Sequence, residues 1–497
     1  MGTAYQNLVD RFQQIYRLQH LGSMANWDQS TMMPAGGNQA RSEAMAELNA
    51  LLHDLLTKDE IGDWIQEAKQ QNSDSETLAS IREMECEYTN ATVMPDQLVR
   101  AKTLASSRCE HAWRAQRPDN DWAGFSKNLT DVVKLTQEEA SIRAEQTGTT
   151  RYNALLNLYE PGMTTTQLDQ VFSDMKSWLP TFIQEAVQLQ KNKTIIKPEG
   201  PFFEQHQKAL SHEVMTLLGF DFNHGRLDVS THPFCGGVSE DVRLTTRYKN
   251  NDFVEALMGT IHETGHARYE QNRPDNRYLP IGRYRSMGIH ESQSLFFEMQ
   301  LGRSSEFLAQ LQPLIIKHLC HGEPKAFSNL PNLERIYTEV KPGKIRVEAD
   351  EITYPAHVIL RYEIERALIE GDIDVNDIPE LWHQKMQESL NITIGNDYTN
   401  GCMQDIHWPM AAFGYFPSYT LGAMYAAQLF AALKQQHPDI KYLISQGNLS
   451  PIFEWLNTHI WSQASRYPTD ELITRATGES LNEKYLKNHL QRRYLKN

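Results

Sequence analysis

Most of the chain shows the hydrophobic periodicity of amphipathic α-helices, with apolar residues at the i, i+3, i+4, i+7 spacing that places them on one helical face. The first such run consists of Tyr5, Leu8, Val9, Phe12, Ile15 and Tyr16. Similar runs predict further helices over 45–55, 163–192, 252–272, 288–302, 357–370 and 419–435. The pattern therefore predicts a mainly α-helical protein.

Signals for β-strands are few and lie near the middle of the chain. Residues 241–248 alternate between polar and apolar positions and follow a predicted turn at Gly236-Gly237. A second short candidate covers 227–234. No internal repeat and no Gly/Ser-rich or Pro-rich linker divides the sequence. We therefore expect one domain over residues 1–497 that contains a small sheet.

One uncharged stretch, residues 408–433, is long enough to cross a bilayer. It contains Pro409, Gly414, Pro417 and Gly422 as well as several polar residues, and such punctuation is unfavourable in a membrane helix. The stretch is interpreted as a buried loop followed by a core helix.

The composition excludes several classes of protein. Of 497 residues, 40% are hydrophobic, which is too many for a disordered chain. The chain has 48 Lys and Arg against 63 Asp and Glu, a net charge of −15. Nucleic acid is therefore not an expected partner, since binding to its phosphates needs a basic surface. An anionic membrane surface is disfavoured for the same reason.

The cysteines and the first residues indicate a cytoplasmic protein. Five cysteines are scattered without a C-x-x-C pair, which argues against a disulfide framework and against a cysteine zinc site. The first 24 residues contain no apolar core of the kind a signal peptide needs.

The sequence Ile-His-Glu-Thr-Gly-His at 261–266 carries the clearest chemistry. His262 and His266 are one helical turn apart, so both imidazoles leave the same face and can bind one metal ion. Glu263 lies beside that position and can take a proton from a water bound to the metal. Asp252 and Glu255 have the spacing of a capping box and predict where this helix begins.

The third metal ligand has to come from another segment. The metzincin extension is absent, because Tyr269 and Asn272 replace its glycine and third histidine. Glu270 lies a further turn along the helix and is a weak candidate. A glutamate on a second helix some 20–30 residues later completes the His₂Glu site of thermolysin-like enzymes. Glu291 is the preferred ligand, and Glu298 is the alternative.

The sequence resembles the carboxypeptidase Taq family of metallocarboxypeptidases at ordered positions over some four hundred residues. The matching strings are Trp27-Asp28-Gln29, Met33-Pro34, Gly36-Gly37, His232-Pro233-Phe234, Asp241-x-Arg243-x-Thr245, His290-Glu291-Ser292-Gln293, Ile345-Arg346-x-x-Ala349-Asp350 and Gly401-x-x-Gln404-Asp405-x-His407-Trp408. The resemblance implies a large helical body with two lobes around a deep central cleft. It also implies a homodimer that removes C-terminal residues from peptides with broad specificity.

The resemblance assigns His262, His266 and Glu291 as metal ligands and Glu263 as the general base. One divalent metal per chain is expected, zinc first and cobalt as the alternative. The sequence departs from the family pattern at 295–297, where Leu-Phe-Phe replaces a more polar or Trp-containing stretch. This change leaves the ligands in place and affects the packing beside them.

A carboxypeptidase must recognise a free α-carboxylate, and the guanidinium group suits this because it can donate to both oxygens. Arg346 and Arg243 are the candidates inside the matched strings, and His232 is assigned to substrate binding as well. The alternative for each arginine is a structural salt bridge, with Asp241 or Asp350 as its partner.

The oxyanion of a tetrahedral intermediate needs a hydrogen-bond donor besides the metal. His407 is one candidate, and Tyr419 is preferred over Tyr415 and Tyr425 by analogy with related cleft peptidases. At least two of these three tyrosines are expected to be core residues.

Residues that do not bind the metal themselves are expected to orient the metal ligands. Asp350 or Glu351 is predicted to hold a ligand histidine from behind.

Three functions remain open from the residues. The first is a metal-dependent carboxypeptidase in which Glu263 activates the attacking water. The second is an endo-oligopeptidase that uses the same cleft. The third is a peptide-binding protein that has lost catalysis, which the intact set of His262, Glu263, His266 and Glu291 argues against.

Overall fold

The computed structural model describes residues 3–231 and 233–495, and most of them are helical. The α-helices are α1 (Ala4–Thr31), α2 (Asn38–Leu56), α3 (Asp59–Gln71), α4 (Ser75–Thr92), α5 (Asp96–Gln116), α6 (Trp122–Thr147), α7 (Arg151–Leu156), α8 (Thr165–Gln190), α9 (Glu204–Leu217), α10 (Val254–Gln271), α11 (Met287–Leu295), α12 (Ser305–Leu319), α13 (Leu330–Tyr337), α14 (Tyr354–Glu370), α15 (Ile378–Leu390), α16 (Pro417–Gln436), α17 (Ile440–Ser445), α18 (Ser450–His459), α19 (Thr469–Thr477) and α20 (Lys484–Leu490). The strands are β1 (Gly225–Val229), β2 (Cys235–Val238) and β3 (Asp241–Thr246).

The predicted helical segments correspond to α1, α2, α8, α10, α11, α14 and α16, which confirms the mainly α fold class. The segment 288–302 is not one α-helix, because α11 ends at Leu295 and continues as a π-helix over Phe296–Gly302.

The predicted capping box is wrong. Helix α10 begins at Val254, and Asp252 Oδ1 accepts a hydrogen bond from the Val254 amide at 2.8 Å. The carboxylate of Glu255 does not bind the start of the helix, because it pairs with Arg247 (3.2 Å) and Lys249.

The three strands form one small sheet in the order β1-β3-β2. Strand β1 is parallel to β3, with Leu227 opposite Leu244, whereas β2 is antiparallel to it. The predicted Gly236-Gly237 turn is part of β2 instead. Gly237 has φ = +99°, and a side chain there would meet the backbone oxygen of Asp241, so this position of the ladder needs a glycine.

Helix α16 lies in the centre of the main hydrophobic core. Residues 408–416 form turns before the helix begins, and most side chains between Pro417 and Leu433 are buried. The interpretation of the uncharged stretch as a buried loop and a core helix is confirmed. Across the described residues, every helix is too short or too polar to span a bilayer.

A smaller apolar cluster joins α1, α3 and α4 to Leu279 and Ile281. A cleft of about 1350 Å³ is bordered on one side by residues of α1 and α2, such as Tyr16 and Met45. On the other side it is bordered by β2, α10 and α11. The H-E-x-x-H helix therefore faces a large cavity, as the resemblance implies.

Glu351 holds the end of the described chain. Its fully buried carboxylate contacts His489 Nε2 at 2.6 Å, Arg493 Nη1 at 2.9 Å and Tyr494 Oη at 2.7 Å. Burial opposes its ionisation, but Arg493 and His489 outweigh this and lower the pKa of Glu351 well below its usual value. The carboxylate of Asp350 accepts from the backbone amides of Lys341, Ile352 and Thr353. The described contacts of both carboxylates therefore give no support to the expected role behind a ligand histidine.

We expect Glu351→Gln to lower the temperature of unfolding at pH 7, because it leaves Arg493 buried without its counter-charge, a loss of about 3–5 kcal/mol. The stability contributed by a carboxylate of depressed pKa is present above its unfolded pKa and is lost as the pH falls through the folded one. The difference from wild type should therefore shrink as the pH is lowered from about 5. Thermal melts across pH measure this, with the exposed neighbour Glu348→Gln as the control. An unchanged melting temperature would contradict the assignment.

Candidate active site

Helix α10 presents two histidines to the cleft. His262 and His266 are one turn apart, with ring centroids separated by 5.1 Å. The helix can approach α11 closely only because residue 265 is glycine. A Cβ at Gly265 would lie 2.7 Å from Ser294 Cα and even closer to the carbonyl oxygen of Gln293. The glycine inside the motif therefore sets the distance between the two helices.

Helix α11 brings Glu291 to the histidines. Glu291 Oε2 lies 3.4 Å from His266 Nε2, and Glu291 Oε1 lies 3.9 Å from His262 Nε2. One ligand atom from each of the three residues falls within 4.8 Å of the others. On the opposite side, a Cβ at Gly422 of α16 would lie 2.7 Å from Glu291 Cγ. Glu291 is therefore held between α10 and a glycine of the core helix.

The Nδ1 atom of each histidine already has a hydrogen-bond partner. His262 Nδ1 lies 2.9 Å from Glu298 Oε2, and His266 Nδ1 lies 3.1 Å from the carbonyl oxygen of His290. Both Nε2 atoms are thus left to face Glu291. Such contacts fix the tautomer and orientation of a metal-binding imidazole. Two imidazole nitrogens and a carboxylate oxygen are a donor set that suits zinc or cobalt, so these residues fit a divalent metal.

Glu298 is part of a buried charge chain rather than a member of the three-residue cluster. Its Oε1 is 2.5 Å from Arg303 Nη2, and its Oε2 faces His262. Burial opposes ionisation, but Arg303 and His262 outweigh it and lower the pKa of Glu298 to about 2. The pKa of His262 rises to about 10 because Glu298 and Glu291 overcome the effect of burial. A metal ion must therefore displace a proton from His262 in order to bind.

Glu263 is 8% exposed and borders the cleft next to His262. Burial raises its pKa to about 7, and the carboxylates of Glu291 and Glu298 act in the same direction while His262 opposes them. A base is most effective when its pKa is close to the working pH. Glu270, the weak ligand candidate, instead binds Arg273 at 3.0 Å and His290 at 2.9 Å.

The structure separates the three candidate tyrosines. Tyr419 and Tyr415 border the cleft, whereas Tyr425 is buried in the core. His407 Nε2 lies 3.0 Å from Tyr419 Oη, and His407 itself is not among the residues that border the cleft. Burial lowers the pKa of His407 to about 3, and the charge of Arg346 adds to the effect, so the imidazole is neutral at pH 7.

Arg346 borders the cleft and is held rigidly from behind. Its Nε and Nη2 donate to Asp405 Oδ1 at 3.0 and 2.8 Å, and its Nη1 donates to Tyr354 Oη at 2.7 Å. Asp405 also accepts from the fully buried Arg361 at 2.6 Å. The salt-bridge partner of Arg346 is thus Asp405 and not Asp350. Because a guanidinium has five N–H groups, two remain available to Arg346 for another ligand.

Arg243 is paired as expected. It forms a bidentate salt bridge with Asp241 (2.9 and 2.7 Å), and its guanidinium lies 4.4 Å from the ring centre of Trp27. It is absent from the residues that border the cleft. This contact joins two of the strings that carried the resemblance. The third substrate candidate, His232, lies outside the described residues.

Four contributors to the site were missed by sequence reasoning. Arg303 and Asp405 act through carboxylate or guanidinium partners that are distant in the chain, and Gly265 and Gly422 act through space that a side chain would fill. Gly265 and Gly422 carried a signal, because a glycine inside a predicted helix needs a reason.

A helical body whose cleft presents an H-E-x-x-H helix and a glutamate from the following helix is the architecture of a metallopeptidase. The comparison with known proteins narrows this class. A family model described as Carboxypeptidase Taq (M32) metallopeptidase matches residues 7–494. The chain belongs to this family and is a metallocarboxypeptidase, a hydrolase of peptide bonds.

Individual relatives agree over nearly the whole length. The chain is 34% identical to thermostable carboxypeptidase 1 of Thermus thermophilus, covering 99% of this chain and 98% of that protein. It is 35% identical to carboxypeptidase 1 of Bacillus subtilis, with 97% of each chain covered. Among solved structures, Trypanosoma cruzi metallocarboxypeptidase 1 superimposes with a TM-score of 0.97 at 41% identity, covering 99% of both chains. The Pyrococcus furiosus carboxypeptidase in its "Apo-Mg" structure gives 0.94 at 30%, also over 99% of both.

We expect Gly265→Ala to weaken metal binding and lower the unfolding temperature, because the new methyl group pushes α10 away from α11 and widens the gap between His266 and Glu291. Zinc content after dialysis and thermal melts measure both effects. Gly259→Ala is the matched control on the same helix, since a Cβ there meets nothing within 4 Å. That change should leave zinc content unaltered and raise stability slightly. Equal zinc content in the two variants would refute the spacing role of Gly265.

Proposed function

We propose that His262, His266 and Glu291 hold the divalent metal of this metallocarboxypeptidase, zinc first and cobalt as the alternative. The convergence of these three donors within 4.8 Å is the single observation that carries the proposal. When bound, the ion supplies Lewis-acid polarisation of the scissile carbonyl and lowers the pKa of water. Glu298 and the carbonyl of His290 orient the imidazoles from behind.

Glu263 acts as the general base in this proposal. The location of Glu263 next to His262 at the border of the cleft supports a role in activating a water there. The raised pKa lets it take a proton from that water and return it to the departing amine at near-neutral pH.

Arg346 receives the C-terminal carboxylate of the peptide. It borders the cleft, and its pairing with Asp405 and Tyr354 fixes the guanidinium so that little rotamer entropy is lost on binding. Arg243 and His232 are secondary candidates for substrate contacts. The salt bridge to Asp241 and the stacking on Trp27 favour a structural role for Arg243.

Tyr419 stabilises the oxyanion, and His407 positions it. With neutral His407 donating from Nε2 to Tyr419 Oη, the hydroxyl hydrogen of Tyr419 is free to point into the cleft. His407 thus acts through the tyrosine and does not touch the substrate.

We infer broad C-terminal specificity, a cytoplasmic homodimer and one domain with two lobes around the cleft. The cleft volume of about 1350 Å³ is compatible with varied side chains. The family membership supports the carboxypeptidase reading over the endo-oligopeptidase alternative. The intact ligand set and base argue against a peptide-binding protein without catalysis.

We expect Glu263→Gln to keep the metal and to lose at least about a hundredfold in kcat, since a positioned base contributes 10²–10⁴ in rate. Glu291→Gln should lose metal instead, because the amide is a much poorer ligand than the carboxylate. The measurements are zinc content by mass spectrometry and hydrolysis of peptides with free C-termini. Chelation should abolish the wild-type activity, and added Zn²⁺ or Co²⁺ should restore it.

Two results would overturn the assignment. Full activity in excess chelator would exclude the metal mechanism. Loss of zinc from Glu263→Gln together with retention by Glu291→Gln would show that the two glutamates have exchanged roles.

We expect Tyr419→Phe to reduce kcat by about 10²–10³ with little change in KM, the usual effect of removing an oxyanion donor. Tyr425→Phe is the matched control one and a half turns along α16, where the side chain faces the core. Steady-state kinetics of wild type and both variants on one peptide measures the effect. Comparable rates for wild type and Tyr419→Phe would rule out the donor role.

A further inference from the structure

A second cavity, of about 920 Å³, lies beyond the cleft and shares Arg303 with it as a common wall. We call it the basic pocket, because its border contains eight lysine and arginine residues against three glutamates. The cations are Lys191, Lys193, Arg303, Arg335, Lys434, Lys441, Arg492 and Arg493, and the carboxylates are Glu306, Glu334 and Glu339. This excess is the opposite of the whole chain, which carries a net charge of −15.

Three of these cations are neutralised by nearby carboxylates. Arg303 pairs with Glu298 at 2.5 Å, and Arg493 pairs with Glu351 at 2.9 Å. Lys441 pairs with Glu306 at 2.8 Å.

Lys434 and Arg492 are among the cations that lack a carboxylate partner. Within residues 3–231 and 233–495, the side chains of Lys434 and Arg492 form neither an ion pair nor a hydrogen bond. Lys434 has only the ring of Phe430, 4.6 Å away.

The charges around Lys434 repel one another. Burial, together with the nearby charges of Arg492, Lys441 and Arg493, lowers the pKa of Lys434 to about 8, while Glu306 acts in the opposite direction. Lys434 is partly buried, whereas Lys441 and Arg492 are exposed, so the repulsion acts mainly on Lys434 unless an anion compensates it. This unfavourable arrangement of charges indicates a binding site, because perturbed ionisable groups concentrate at functional sites.

We propose that the basic pocket binds a small anion with two or more phosphate groups. Lysine and arginine side chains are the usual partners of phosphate oxygens, and Lys434 and Arg492 have free donors for them. The volume exceeds what one phosphate ion needs and falls in the range of small-ligand sites. Phe430, Val340 and Ile444 add an apolar wall for an organic group. The proposal is independent of the metal site, since Arg303 separates the two cavities.

Inorganic pyrophosphate is the probe for this site. Isothermal titration of the metal-loaded protein at constant ionic strength should give a Kd below about 1 mM, and the double variant Lys434→Gln/Arg492→Gln should bind at least tenfold more weakly, since two charge-assisted hydrogen bonds are lost. Lys208→Gln removes one positive charge outside the pocket and should bind like wild type. Any complexation of the bound metal is common to all three proteins and does not depend on the pocket.

A second measurement tests whether Lys434 itself meets the anion. At pH 8, titrations in buffers of different ionisation enthalpy should show greater proton uptake by wild type than by Lys434→Arg, because the anion raises the pKa of the lysine and the arginine does not titrate. The arginine variant should retain the affinity. No binding by wild type, equal affinity in wild type and the double variant, or equal proton uptake in wild type and Lys434→Arg would overturn the proposal.

Discussion

The close packing of three helices is the constraint on which the active site depends. The H-E-x-x-H helix supplies two donors, but the third comes from α11, so the distance between α10 and α11 decides whether a single ion can be shared. Gly265 fixes this distance from one side, and Gly422 of α16 leaves room for Glu291 on the other. Because protein interiors are packed as densely as organic crystals, an extra methyl group at either contact cannot be accommodated without a shift of the helices. The arrangement of the three candidate ligands is thus a consequence of helix packing.

Buried charges form the second layer of organisation, and each is fixed by a partner from a distant segment. His262, Glu298 and Arg303 make one chain, while Arg346, Asp405 and Arg361 make another. Breaking such a group leaves an uncompensated charge in a medium of low polarity, so its members hold one another in position. This explains how an acidic protein keeps a cationic group, Arg346, at the border of the cleft. Asp405 lies between Arg346 and Arg361, so the group of three residues keeps a net positive charge beside the cleft.

The sequence predicted what depends on local spacing. Helices α1, α2, α8, α10, α11, α14 and α16 followed from 3.6-residue periodicity, and the pairing of His262 with His266 followed from one helical turn. Glu291 was found by its separation along the chain and by resemblance, and the structure brings it to both histidines. Contacts between distant segments were not predictable in this way. The partner of Arg346, Asp405, is 59 residues away in the chain. Glu351 contacts residues near the end of the described chain because α20 packs beside it. Strand β2 was missed because its two glycines are typical of turns.

Arg303 shows why a net charge says little about local function. On one side of it lie Glu298, Glu291 and Glu263, the carboxylates beside the two histidines of α10. On the other side lie Lys434 and Arg492 in the basic pocket. The guanidinium of Arg303 pairs with Glu298 where the two cavities meet. The basic pocket therefore has an excess of cations within an acidic protein, whereas the border of the cleft carries cations and carboxylates in equal number.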